Sequence, residues 1–319
     1  MQTRYHTAYE RIWAASEQID PYHDTRWLNA FTYYSANLAH FLPLLATESH
    51  LRRFRQTVAY EQLGALDMRW FSQGYVPTVV THQTPLDQVL PTAPGIVCTM
   101  HTGAHLHIAW SLLQSKIPLA LLVSAVARRS LIDMLGQSPS PTAGPILIDA
   151  EKPGALTAVI RQLKAGINVL ALIDGGGGIG PLLQSNAVKV PFLGQHMFVR
   201  SGIPYAAWHA EVPIYPVWAF RRQQGGSIDV YRHPPIRKEG LSKESYLRQS
   251  IGAICDHFAA YLLHYPEQWT NWWNLQQHMD ATQCIRPPDR VWKQPFGVMV
   301  HADDRYAFDR NHYRLHPIR

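Results

Sequence analysis

The chain has 319 residues, 46% of them hydrophobic and 16% charged, a balance too apolar for extended disorder and large enough for one substantial core. Lys and Arg number 29 against 23 Asp and Glu, a formal charge of +6 that favours acidic partners such as phospholipid headgroups or an acidic carrier protein. The basic residues are scattered and form no stripe, so nucleic acid is not expected as a partner. Three cysteines, Cys98, Cys255 and Cys284, match neither a zinc ribbon nor a disulfide framework, which suits a reducing, cytoplasmic setting.

In chain order, residues 1–76 read as a helical segment or lid, with apolar and aromatic residues three and four apart, as at Phe41, Leu44 and Leu45. The first twenty residues lack the apolar core of a signal peptide, and the longest uncharged apolar run, 117–127, is too short to span a bilayer. After a turn-rich stretch at 77–94, strands are expected at 95–100, 117–123, 145–149, 167–173 and 214–220. Helices are expected between them at 104–113, 129–135, 154–164 and 197–208, and a long one at 243–264 ends before Tyr265-Pro266. This alternation predicts an α/β domain over 77–279 with a mainly parallel central sheet flanked by helices, preceded by the helical segment. Residues 280–319, rich in Pro, His and Arg, read as an irregular tail.

The segment Cys98-Thr99-Met100-His101-Thr102-Gly103-Ala104-His105 puts a histidine at the C-terminal end of a predicted strand, just before a helix, where α/β sheets place their sites. A neutral imidazole there can take a proton from an attacking hydroxyl or amine, and Gly103 permits close approach of substrate or backbone. His101 is therefore the expected general base. A metal site built on His101, His105 and His107 is a rival reading, but apart from Cys98 no carboxylate or cysteine ligand is near in sequence. His105 and His107 are better read as packing locally or lining an acceptor pocket. Cys98 as a nucleophile is disfavoured, because residues three apart across a strand end seldom face each other. Gly175 to Gly180 formally match a dinucleotide fingerprint, but Pro181 and a strand-like 188–192 follow where a helix should begin.

His101 with Gly103 and four ordered blocks after it carry a resemblance. The blocks are Asp174-Gly175-Gly176-Gly177-Gly178; Val188-Lys189-Val190-Pro191-Phe192-Leu193-Gly194; Val212-Pro213-Ile214-Tyr215-Pro216-Val217 with Arg221 and Arg222 soon after; and Tyr265-Pro266-Glu267-Gln268-Trp269-Thr270-Asn271-Trp272-Trp273. The chain resembles the lysophospholipid acyltransferase superfamily, and within it the lipid A late acyltransferases that add lauroyl or myristoyl chains. It departs from them at one point, since that family carries a carboxylate five residues after the histidine and this position is Leu106. Asp174, His105 or a backbone carbonyl could supply the missing orienting group.

The resemblance implies an acyltransferase that moves an acyl group from a carrier-protein or coenzyme A thioester to an amine or hydroxyl acceptor, with those thioesters as substrates and no separate cofactor or metal. It implies catalytic roles for His101 and Asp174, and substrate-binding roles for Gly103, His105, Arg128, Arg129 and Arg222, whose guanidinium groups suit a phosphate of lipid, coenzyme A or phosphopantetheine. An acidic acyl carrier protein is the expected partner, peripheral contact with the inner face of a membrane is equally compatible, and a specialised-metabolite pathway would fit. The absent carboxylate tilts the expectation from O-acylation towards N-acylation, because a neutral amine needs less activation. The competing reading is a catalytically silent homologue that binds an acyl chain or an acyl carrier protein.

Overall fold

The computed structural model describes residues 2–71, 73–75, 79–82, 94–115, 117–136, 145–175, 186–222, 227–278, 296–301, 304–309 and 314–317. The glycines at 176–180, most of the turn-rich stretch at 77–94, Cys284 and the first part of the tail lie outside the described residues. Three helices come first: α1 (Gln2–Glu17), α2 (Thr25–Phe41) and α3 (His50–Phe71). The Asp24 carboxylate caps α2 by accepting from the Arg26 amide at 2.9 Å. Phe54 of α3 is the hub of their packing, with edge contacts to Phe31 and Tyr34 of α2 and to Trp273 near the end of the domain.

The body alternates strand and helix as the apolar pattern predicts. It runs β1 (Val79–His82), β2 (Ile96–Thr99), α4 (His105–Gln114), β3 (Leu119–Val123), α5 (Ala125–Gly136), β4 (Ile146–Asp149), α6 (Ala155–Lys164) and β5 (Asn168–Leu172). It continues through β6 (Ala187–Phe192), β7 (Gln195–Arg200), α7 (Gly202–Ala210), β8 (Ile214–Arg221), β9 (Ile228–Arg232) and α8 (Lys243–Leu262). Among the described residues seven strands form one sheet in the order β1-β9-β8-β2-β5-β3-β4. All its pairings are parallel except β8 with β9.

Every residue of β2 and β8 is buried, as expected for central strands covered on both faces. Alternate residues serve two cores. Ile96, Cys98, Val169, Ala171, Trp218 and Phe220 face the core shared with α6, α7, α8 and α2. Val97, Leu170, Val217 and Ala219 face the other, with Ile108 of α4 and Phe71 of α3.

Two expectations need correction. Residues 197–200 belong to β7 rather than to a helix: β6 and β7 form a hairpin whose two-residue connection, Leu193-Gly194, has φ of 48° and 75°. Both values are positive, as a tight hairpin of this twist requires, and a leucine there gives none of the usual Asn-Gly signal. The tail is not irregular throughout, because β10 (Phe296–His301), β11 (Asp304–Asp309) and β12 (Arg314–Pro317) form a three-stranded antiparallel sheet.

Candidate active site

The pairing of β2 with β5 builds the site. The two strands run parallel with Thr99 opposite Leu172, so the residues two further along each chain, His101 and Asp174, leave the sheet side by side at its C-terminal edge. The Ile173 amide extends the ladder by donating to the Thr99 carbonyl at 3.0 Å. The Asp174 carboxylate then receives the His101 amide at 3.0 and 3.2 Å, and its Oδ1 lies 2.8 Å from the His101 ring Nδ1. An ionised carboxylate only accepts, so Nδ1 carries the proton and Nε2 of the neutral ring keeps its lone pair. Among the described residues Nε2 has no hydrogen-bond partner, and 38% of the His101 side chain is exposed against 2% for Asp174. The exposed end of the ring is therefore its basic end.

Asp174 is well held. Its Oδ2 accepts from the Trp269 indole at 2.7 Å and its carbonyl from the Asn271 side chain at 3.1 Å, while apolar side chains including Met100, Met197 and Val199 line the crevice beside it. Burial alone would raise its pKa, but the charge of His101 and the hydrogen bonds from His101 and Trp269 hold it below the ordinary carboxylate value. Burial likewise disfavours the charged form of His101, but Asp174 overrides it and raises the imidazole above its ordinary value. Both shifts favour an ionised carboxylate beside an imidazole more basic than an ordinary one.

The loop from His101 to Gly103 is tied down at each residue. The His101 carbonyl accepts from the amide and the hydroxyl of Thr270, both at 3.2 Å, and the Thr102 hydroxyl donates to the Ala219 carbonyl at 2.7 Å. Gly103 fits because a Cβ there would lie 2.7 Å from Gln268 Oε1 and 3.3 Å from a Tyr60 ring carbon. The close approach at Gly103 is thus made by a side chain of the protein itself.

His105, in the first turn of α4, bonds through Nδ1 to the Thr102 carbonyl at 2.6 Å and sets its ring edge-on to that of His101, centroids 5.3 Å apart. Burial, then the neighbouring His101, lowers its pKa to about 4, so it stays neutral. His107 turns away, with Nε2 3.1 Å from the Ser111 hydroxyl, its pKa lowered to about 4 chiefly by burial. Among the described residues no group of three His, Cys, Asp or Glu is placed to hold a metal ion. Burial pushes the Cys98 thiol well above its ordinary pKa, which leaves it protonated and a poor nucleophile.

The carboxylate that meets the His101 ring is Asp174, and the position where the resemblance expects one does something else. Leu106 reaches α3, its Cδ1 lying 3.4 Å from where a Cβ on Gly64 would sit. Arg128 and Arg129 are exposed in the first turns of α5, which starts from the same edge of the sheet just after β3; they make no ion pair among the described residues and do not touch the dyad. Arg222 is half exposed and pairs with Asp229 at 2.9 Å. Its buried neighbour Arg221 reaches the His101 loop instead, donating from Nε to the Gly103 carbonyl at 2.9 Å. Sequence reasoning assigned no role to Arg221, Gln268, Trp269 or Asn271. A signal was present for each, because Arg221 follows the Val212 to Val217 block and the other three stand in the Tyr265 to Trp273 block.

No helix among the described residues is long and apolar enough to cross a membrane. No family model matches the chain, and no curated protein matches it either. Among solved structures it is similar to the crystal structure of the 1-acyl-sn-glycerophosphate (LPA) acyltransferase, PlsC, from Thermotoga maritima, with 14% sequence identity and a TM-score of 0.36 over 74% of this chain and 95% of that one. A likeness at that level assigns no activity, so function rests on the site and on the sequence motifs.

Proposed function

We propose that this protein is an acyltransferase in which His101 is the general base, moving an acyl group from a carrier-protein or coenzyme A thioester to a hydroxyl or amine acceptor. The observation that supports this most is the contact of His101 Nδ1 with Asp174 at 2.8 Å, which leaves Nε2 free on the exposed side. Nε2 takes the acceptor's proton as its oxygen or nitrogen attacks the thioester carbonyl. The tetrahedral intermediate then collapses, the carbon–sulfur bond breaks, and the imidazolium returns the proton to the departing thiolate. Asp174 keeps the ring in the productive tautomer and stabilises the imidazolium between those two transfers. The motif blocks supply the choice of acyl transfer, and the dyad supplies the means.

The expected lean towards N-acylation rested on a missing carboxylate. With Asp174 in that role, a hydroxyl acceptor is served as well as an amine. An acidic carrier protein as donor remains the partner that suits the net charge of +6, and a specialised-metabolite pathway the setting we favour.

The test is to incubate the purified protein with carrier-protein and coenzyme A thioesters of graded chain length and a panel of alcohols and amines, following products by intact mass. His101→Ala runs in parallel. Transfer by the wild type that disappears in the variant supports the proposal. Binding of thioester with no product from either protein would instead favour a silent acyl binder. The pH profile of kcat/KM is a second check: because Asp174 raises His101, activity is expected to rise with pH through a midpoint above the ordinary histidine value of about 6.5. A midpoint below that value would contradict the dyad.

A further inference from the structure

The buried charges least explained by proton transfer lie behind the His101 loop. Arg221, at the end of β8, is 1% exposed, and Asp67 of α3 is 0% exposed, so both are shut away from solvent. Arg221 Nη2 forms an ion pair with Asp67 Oδ2, and Tyr5 of α1 donates to the other Asp67 oxygen at 2.7 Å. Gln268 grips the Arg221 backbone on both sides, accepting from its amide and donating to its carbonyl, each at 2.7 Å. One donor of the guanidinium, Nε, is spent on Gly103 O at 2.9 Å, two residues beyond the proposed base.

Taking a pair of charges out of water is costly, and an apolar pair of the same volume would often stabilise a fold as well. What an apolar pair does not provide is a directional donor aimed at one backbone carbonyl. Gly103 lies midway between His101 and His105, whose ring stands edge-on to that of His101. A shift of the Gly103 peptide therefore moves both the strand end that carries the base and the helical turn beside it. Arg222, next in sequence, is spent on Asp229 and makes no such bond.

Building on the proposed acyl transfer, we infer that Arg221 is a positioning residue for His101: counter-charged by Asp67 and Tyr5 from the amino-terminal helices, it locks the loop through the Gly103 carbonyl. In this reading α1 and α3 are a brace for the site. The base is set in place by a charge relay of position, from Tyr5 through Asp67 and Arg221 to Gly103, and no proton travels along it.

Arg221→Lys keeps a cation beside Asp67 but has no Nε to give to Gly103. It is expected to lower kcat roughly 10- to 100-fold, as small misplacement of a base does, with the KM for thioester within about twofold of wild type and the midpoint of the pH profile unmoved because Asp174 stays in place. The paired variant Asp67→Leu with Arg221→Met removes both charges together, so no lone buried ion is left to unfold the protein. It should fold and show the same loss of kcat. A kcat within twofold of wild type in folded Arg221→Lys would overturn the inference. Amide exchange by mass spectrometry gives a reading that does not depend on activity. In Arg221→Lys, exchange should quicken in the peptides covering 101–106 and stay unchanged in the sheet, and unaltered exchange at 101–106 would also overturn the inference. Failure of the proposed acyl transfer would show as an inactive wild type, with the exchange result still deciding the role of Arg221.

Discussion

Asp174→Asn should lower the rate of transfer by something on the order of ten-thousandfold, nearly as far as removing His101. The introduced amide can still meet the Trp269 indole through its oxygen. Its NH2 group would then face His101, where a lone acceptor is wanted. The ring would respond by placing its own proton on Nε2, turning the basic end towards that NH2 group and a donor towards the acceptor. In serine proteases the equivalent change leaves the geometry intact and costs about that factor. With the carboxylate gone, the burial that already opposes the charged form of His101 acts without opposition, so the midpoint of any residual activity should fall below its wild-type value. Stopped assays of thiol release across pH, with a thermal melt to confirm folding, would check both. A rate within tenfold of wild type would show that His101 does not depend on Asp174.

Gly103→Ala is the second large effect. The added methyl would lie 2.7 Å from Gln268 Oε1, and Gln268 cannot step aside without giving up its two 2.7 Å bonds to the Arg221 backbone. Tyr60 closes the other side at 3.3 Å. Overpacking of this kind costs about 1–3 kcal/mol, and each buried hydrogen bond left unmade adds about 1–3 kcal/mol. A fall in melting temperature of several degrees is expected, with a drop in kcat larger than lost folding accounts for. An unchanged melting temperature would mean that the loop shifts freely, against the tight anchoring described above.

Much of this site was legible in the sequence, one residue at a time. His101 stood out because a histidine ends an apolar run and a helix follows, whereas Asp174 was marked only by the resemblance, as the acid that opens the glycine-rich block. What the sequence could not show was that these two runs are neighbours. The chain visits β3 and β4 between them, and the pairing of β2 with β5 depends on which strand edges remain open once the others have docked. The resemblance puts the expected carboxylate at Leu106 and left Asp174, His105 and a backbone carbonyl as alternatives, while the carboxylate that meets the His101 ring stands 73 residues away. Arg222 and Arg221 show the same limit: two adjacent arginines at a strand end look alike, and alternation along the strand decides that one is buried against Asp67 and the other pairs at the surface with Asp229. The hairpin at Leu193-Gly194 escaped for a local reason, because a leucine with positive φ carries no compositional mark of a turn. The secondary elements were thus largely readable, and their non-local partners were not.

The central place of β2 also bears on how the chain comes to be active. Ile96 pairs on one side with Val169 and on the other with Ile214, so the strand that carries the proposed base is complete only after partners from far along the chain have arrived. Gly103 waits on Arg221, 118 residues later. Contacts so distant in sequence form slowly, because the loop between them must first be closed. During synthesis the support behind His101 would be completed late, after β8 has left the ribosome, and a chain broken off before that strand would hold both His101 and Asp174 without the Arg221 bond to Gly103. Such a protein should have its catalytic groups and no catalysis.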